Sequence, residues 1–290
     1  MAKYRIRPGT KNRLLTIFLA LAAFAGIVVF FIFVSLPRLQ DAVEGYRSGV
    51  VQPEHEEYES AKMRIVYDEI FRDGGNYYTA DIYLKDMNCI KTSFCGGGYD
   101  PYRIGDPVRT AEEKSAVLAV NGDNCCYDTE GLVIRDSHFI DLKETKGDIL
   151  LVYHDGTTDI INGSSISDED DADRLVREGV MCSFSCGEAL LVDGYPVERD
   201  DTWHIKEAYT CLGTAEDGHF FILVSNSNSS HSMGMTKSDL ADILTKKGIR
   251  NAYIIESGSE CIFIFGGEVK NNLCGRSAVR EISDIIYFAD

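Results

Sequence analysis

Residues 116–135 read AVLAVNGDNCCYDTEGLVIR, and this stretch sets the class of fold. An apolar run at 116–120 stops at Asn121-Gly122-Asp123, where glycine supplies backbone angles that other residues resist and the acid suits a tight turn. A second apolar run resumes at 131–134 and ends on Arg135. Runs this short, rich in valine, leucine and isoleucine and bounded by turn residues, read as strands. Taken alone, Asn121-Gly122-Asp123 is an ordinary turn with a capping aspartate.

The same pattern continues outward in both directions. Strands are expected at 63–70, 77–84, 149–153, 180–184, 189–192, 219–224, 252–255, 261–265 and 282–288. Asp155-Gly156, Asp193-Gly194, Asp217-Gly218 and Gly266-Gly267 are hairpin-grade turns between them. Helices are fewer. Thr236 opens an amphipathic stretch that runs to Lys247 and stops at Gly248, Ser167 begins an acid-rich first turn, and a third helix is expected at 110–116. The acids at 168–171 complement a helix dipole without needing a metal. Many short strands with a few helices imply an α+β domain of mixed or antiparallel sheets.

Further toward the N-terminus the chemistry changes. Residues 14–36 carry no charge, and as a helix they would extend about 34 Å, enough to cross a hydrocarbon core of roughly 30 Å. The apolar run continues past Ala23-Phe24-Ala25, too far for a cleaved signal peptide. Lys3, Arg5, Arg7, Lys11 and Arg13 precede it, and no acid appears before Asp41. The positive-inside rule then keeps 1–13 as a cytoplasmic tail, makes 14–36 a transmembrane anchor in the lipid bilayer, and sends the rest outside the cytoplasm. Residues 37–62 read as a polar juxtamembrane stalk and 63–290 as one domain. Beyond Arg38 the chain holds 23 basic and 46 acidic residues. Nucleic acid is therefore not an expected partner. All nine cysteines fall in the exported part, where disulfides are permitted, and their spacing suits no zinc site.

Six motifs occur in a telling order: Val120-Asn121-Gly122-Asp123, then 131–135, then Ser183-Phe184-Ser185-Cys186-Gly187, then Thr210 with Gly213, then Ser232-Met233-Gly234-Met235-Thr236, and Ile282-Ser283-Asp284 near the end. Together, over roughly 63–290, they resemble the phosphodiester glycosidase family. That family includes the uncovering-enzyme type of N-acetylglucosamine-1-phosphodiester glycosidase and many bacterial exopolysaccharide-associated proteins. The resemblance implies cleavage of a sugar–phosphate bond at the anomeric carbon of a glycan phosphodiester. Such chemistry needs a carboxylate near that carbon and a group that stabilises the departing phosphate. It casts Asp123 and Glu256 as the catalytic carboxylates, with Asn121, Arg135, Tyr209, Thr210 and Gly258 contacting substrate.

The chain also departs from the family pattern. Where the family reads Asn-Pro-Arg-Thr, this chain has Glu207-Ala208-Tyr209-Thr210, and Asp-Gly-Gly-Gly-Ser becomes Glu256-Ser257-Gly258-Ser259-Glu260. Phe-Gly-Pro becomes Cys186-Gly187-Glu188. A tyrosine offers one neutral donor where an arginine offers two charged ones. Glu188 and Glu260 add negative charge. Two readings follow: a membrane-anchored glycosidase of exported or cell-surface glycans, or a glycan-binding or scaffolding ectodomain that kept the fold and lost the chemistry. No cofactor is expected, though Asp123, Glu188, Glu256 and Glu260 together suit a divalent cation such as calcium. The anchor predicts that alkaline carbonate leaves the full chain in the membrane pellet. Recovery in the supernatant would remove the anchor.

Overall fold

The computed structural model describes residues 54–71, 76–127, 131–197, 201–216, 218–226, 233–271, 273 and 278–290. The basic tail and the expected span at 14–36 lie outside them. Among the described residues no helix is long and apolar enough to cross a membrane.

The largest sheet has eight strands in the order β1-β2-β3-β14-β13-β15-β11-β12. Its first half is β1 (His55–Glu59), β2 (Met63–Ile70) and β3 (Tyr77–Leu84), and its centre is β14 (His219–Ser225), β13 (Tyr209–Thr214) and β15 (Asn251–Ser257). β11 (Glu188–Val192) and β12 (Tyr195–Pro196) close the far edge. A second sheet stacks on it: β17 (Glu268–Val269), β16 (Phe263–Phe265), β5 (Leu118–Asn121), β18 (Asp284–Phe288) and β4 (Ile90–Phe94). Two smaller sheets complete the set, β10 (Val180–Phe184) with β8 (Asp148–Tyr153) and β9 (Thr158–Asn162), and the hairpin β6 (Gly131–Arg135) with β7 (His138–Lys143). Every strand pairing among the described residues is antiparallel, so the sheets are antiparallel rather than mixed.

Period-2 alternation builds the layers. In β14, Phe220, Ile222 and Val224 face a core shared with Leu118, Val120, Ile286 and Phe288 of the second sheet. Phe221 and Leu223 point the other way, onto Leu240 and Leu244 of helix α3 (Lys237–Lys246). Ala119 and Ile285 turn to the outer face of the second sheet, beside Ala111 of α1 (Pro107–Glu113). α2 (Glu169–Arg177) closes the β6/β8/β10 region through Ala172 and Leu175. The result is a helix–sheet–sheet–helix stack.

Helix starts follow their caps. Asp106 accepts from the amides of Val108 and Arg109, and Pro107 needs no amide partner. Thr236 and Asp239 form a reciprocal capping box. Capping thus starts α1 at Pro107, ahead of the expected 110.

β1 corrects the sequence reading, which placed these residues in a stalk. Their glutamates look like linker composition, but Lys270 Nζ lies 2.6 Å from Glu56, 3.4 Å from Glu54 and 3.2 Å from Glu268. Tyr58 and Ser60 each donate to Asp290 at 2.7 Å. Partners more than two hundred residues away turn a charged stretch into an edge strand.

Among the described glycines, close approach is tightest at Gly187, between β10 and β11. A Cβ there would stand 1.8 Å from the Ile254 carbonyl oxygen of β15, whereas one at Gly147 would meet nothing within 4 Å. Gly187→Ala is expected to lower unfolding free energy by about 3 kcal/mol in urea titrations, and Gly147→Ala by a few tenths at most. Equal effects would contradict this packing.

Candidate active site

The turn after β5 is closed by a buried ion triad. Arg135, at the end of β6 and 4% exposed, reaches Asp123 Oδ1 at 2.6 Å and Asp284 Oδ2 at 3.1 Å through one terminal nitrogen. Its other terminal nitrogen donates to the carbonyls of Ser183 and Ile134, and the guanidinium lies over the Phe184 ring at 4.9 Å. Asp123 Oδ2 accepts the Ser185 amide at 2.9 Å, and Ser283 donates to Asp284 Oδ1 at 2.7 Å. Burial pushes Asp284 up, Arg135 opposes it, and Asp123 adds to the rise. Gly122 is required here because a Cβ would fall 2.2 Å from the Asp284 carboxylate.

Two serines explain why β6 lies beside β10. Ser183 accepts the Ile134 amide and donates to the Leu132 carbonyl, and Ser185 accepts the Leu132 amide, at 2.7–2.9 Å. Hydroxyls thus take the place of ladder bonds. Residues two apart point to one side of a strand, which is the physical content of the Ser183-Phe184-Ser185 motif.

Asn121 is the second fixed point. Its Oδ1 accepts from the Thr210 hydroxyl at 2.7 Å and the Ile262 amide at 3.1 Å, and its Nδ2 donates to the Gly122 carbonyl. Asn121 and Thr210 are buried, and they join the end of β5 to β13 of the large sheet.

In front of these groups lies a cavity of about 430 Å³ lined by Tyr209, Glu256, Ser257, Glu188, Lys237 and Thr202, among others. Register brings two of the expected residues to it, since Tyr209 pairs with Ser257 and Thr210 with Glu256 across β13 and β15. Glu256 Oε1 accepts the Ser257 amide at 2.8 Å, and Oε2 takes the Asn124 side-chain amide, which also binds Glu260. Burial pushes the Glu256 carboxyl up to about 7; the Ser257 amide and Asn124 pull it down, and Glu260 and Asp123 raise it. Asn124, held at φ 56°, links the Asp123 loop to Glu256. Tyr209 is buried, with its hydroxyl 3.4 Å from the Ile205 carbonyl, and burial raises its phenol. Gly258 turns the chain out of β15 with φ 83°, its amide donating to the Ala208 carbonyl at 2.9 Å.

The expected site residues therefore fall into two tiers. Tyr209 and Glu256 line the cavity. Asp123, Arg135, Asn121 and Thr210 are buried and are not among its described lining residues; Asp123 pairs with Arg135 and Thr210 with Asn121. Arg135 spends its terminal nitrogens on protein groups instead of facing the cavity, and both oxygens of Asp123 are engaged. The four carboxylates considered for a cation are likewise distributed: Asp123 on Arg135, Glu188 on Lys237, Glu260 on Arg280 at 3.0 Å, and Glu256 on amides. Asp123, Asp284 and Cys125 also converge, but one Arg135 nitrogen stands 2.6, 3.1 and 3.5 Å from them. A guanidinium already holds the position a metal would share.

Sequence reasoning did not single out Asn124, Asp284, Ser185 or Lys237 for the site. Asp284 and Ser185 each lie within one of the six motifs, and for Asp284 an acid beginning a buried strand is the available signal. Asn124 and Lys237 carried none.

The phosphodiester glycosidase family profile matches residues 114–289. A stretch of 173 residues, 56% of this chain, is 25% identical to the SPbeta prophage-derived uncharacterized protein YomE of Bacillus subtilis (strain 168). The match spans 26% of that protein's length. Among solved structures, the zebrafish N-acetylglucosamine-1-phosphodiester alpha-N-acetylglucosaminidase catalytic domain, auto-inhibited by its pro-peptide, aligns with a TM-score of 0.60. The alignment is 17% identical and covers 84% of this chain and 90% of that one. A hypothetical protein from Synechocystis aligns with a TM-score of 0.62 at 10% identity, over 82% of this chain and 64% of that one. At these identities the two structures share the fold.

Glu256 binds its proton more tightly folded than unfolded. The stability this contributes is complete below the ordinary carboxylate range and is lost as pH rises through about 7. Glu256→Gln should therefore raise Tm by about 5 °C at pH 8 and leave it nearly unchanged at pH 4. A shift independent of pH in thermal scans would contradict the assignment.

Proposed function

The chain belongs to the phosphodiester glycosidase family, and from that premise we propose that it hydrolyses sugar-1-phosphodiesters of exported or cell-surface glycans, held at the membrane by its N-terminal segment. The observation that carries the proposal is Glu256: a carboxyl raised to about 7, on the wall of a cavity of about 430 Å³ that a lysine also lines. A group with that value is partly protonated at neutral pH and can both give and take a proton there. Cavities of this volume accommodate a sugar-sized ligand.

In this reading Glu256 is the general acid. It protonates the bridging oxygen as the bond from the anomeric carbon to that oxygen breaks. Water adds at the anomeric carbon and gives up a proton that restores the Glu256 carboxyl, leaving free sugar and a phosphomonoester. Glu260 keeps the Glu256 proton in place by like charge, and Asn124 orients both carboxylates. Asp123 acts as a positioning residue: through Arg135 and the Ser185 amide it fixes the loop that carries Asn124.

The saturated state of Asp123 also favours the second reading, a glycan-binding ectodomain without turnover. The two separate on one assay. Purified protein incubated with an N-acetylglucosamine-1-phosphodiester is expected to release free sugar, with kcat falling as pH rises through about 7 because the acid is lost. Glu256→Gln should lower kcat by about 10²–10⁴-fold with little change in KM. Binding without release of sugar over a panel of such esters would leave the second reading.

A further inference from the structure

Lys237 contradicts two local preferences. It is the first residue of α3, where a cation meets the positive end of the helix dipole. Its side chain is only 9% exposed, an environment lysine enters only when paired. Capping does not explain it, because Thr236 and Asp239 already supply the cap. Packing does not explain it either, since the ammonium reaches a cavity instead of the surface. There Lys237 forms an ion pair with Glu188 and donates to the Thr202 hydroxyl at 2.8 Å. All three residues line the space that also holds Tyr209 and Glu256. Among the described residues lining that cavity, Lys237 is the only cation.

We propose that Lys237, with Thr202, is the anion anchor of this cavity and that Glu188 is its resting counter-ion, displaced when the phosphate of a ligand enters. The identity of the ligand as a sugar phosphate rests on the proposed function; the anion site rests on the cavity alone. An ammonium offers three donors, and a phosphate oxygen can take the one now given to Glu188 while Thr202 keeps its own. Exchanging one anion for another leaves the buried charge paired at each stage, which avoids the large cost of a bare ammonium in the interior. Glu188 has a route out, for its side chain is 36% exposed. The arrangement makes the site selective for ligands whose anionic group outcompetes a carboxylate.

The test is calorimetric titration of the full chain with inorganic phosphate and with N-acetylglucosamine 1-phosphate. Glu188→Gln removes the competitor and is expected to tighten both by about tenfold. Lys237→Met should weaken both by at least tenfold. Because that variant leaves Glu188 without its partner, the double variant Glu188→Gln/Lys237→Met removes one charge of each sign, leaves the net charge of the cavity unchanged and serves as the folded control; it should bind neither. Binding in the double variant equal to that of Glu188→Gln, or no phosphate binding by any form, would overturn the anchor. Hydrolysis followed in parallel separates the two ideas. Lys237-dependent binding without turnover keeps the anchor and removes the hydrolase. Turnover with an unchanged KM in the double variant keeps the hydrolase and removes the anchor.

Discussion

The buried contact between Arg135 and two aspartates is the constraint on which the rest of the domain depends. Asp123 follows β5, Arg135 ends β6 and Asp284 begins β18, so one guanidinium joins the second sheet to the small hairpin. The adjoining bonds to Ser183 and Ser185 extend the join to β10. Removing charges from water is costly, and buried ion pairs often add little net stability over apolar residues of the same size. Their cost is reduced here because both terminal nitrogens of Arg135 and both carboxylates find partners, although the buried Arg135 Nε has none. What the triad supplies is position. Replacing Arg135 would leave two buried carboxylates facing each other without their cation at the junction of three sheets.

From that junction the geometry propagates forward. The turn at Gly122 admits the Asp284 carboxylate only because it lacks a Cβ. The next residues carry Asn124 in a left-handed conformation, and its side-chain amide reaches the two glutamates at the end of β15. Asn121 meanwhile ties β5 to β13 through Thr210. The cavity thus has a rigid rear wall of satisfied polar groups and a front of unequal charges: a glutamate raised by burial, and a lysine held by a glutamate and a threonine. Burial away from water holds that carboxyl at its raised value against the downward pull of the Ser257 amide and Asn124.

Much of the fold was legible because strand periodicity and turn chemistry are local. The strands expected at 63–70, 77–84 and 180–184 match β2, β3 and β10 residue for residue. β4 and β9 went unseen because Lys91, Thr92, Ser93 and Asp159 break their apolar runs, and their pairing comes from distant strands. β1 failed for an electrostatic reason: Glu54 and Glu56 resemble a solvated linker until Lys270 is brought against them. The site divided along the same line. The family resemblance groups Tyr209 with Glu256, and register sets β13 beside β15 with Tyr209 opposite Ser257 and Thr210 opposite Glu256. Arg135 was expected to face a ligand, but an arginine is directed by whichever acids the fold brings near it, and those were Asp123 and Asp284.

The sequence by itself determined the α+β class, the Thr236 cap, the turns that need glycine, and the family, since each is written in residues close together along the chain or in the order of short motifs. It also carries the apolar 14–36 segment and the acidic balance of everything after it. Only the tertiary structure decided which acids answer which cations. Charge pairing depends on distance in space and on exclusion of water, and neither is encoded by spacing along the chain. That is why the raised carboxyl of Glu256 and the buried ammonium of Lys237 emerge only once β11, β13, β15 and α3 stand around one cavity.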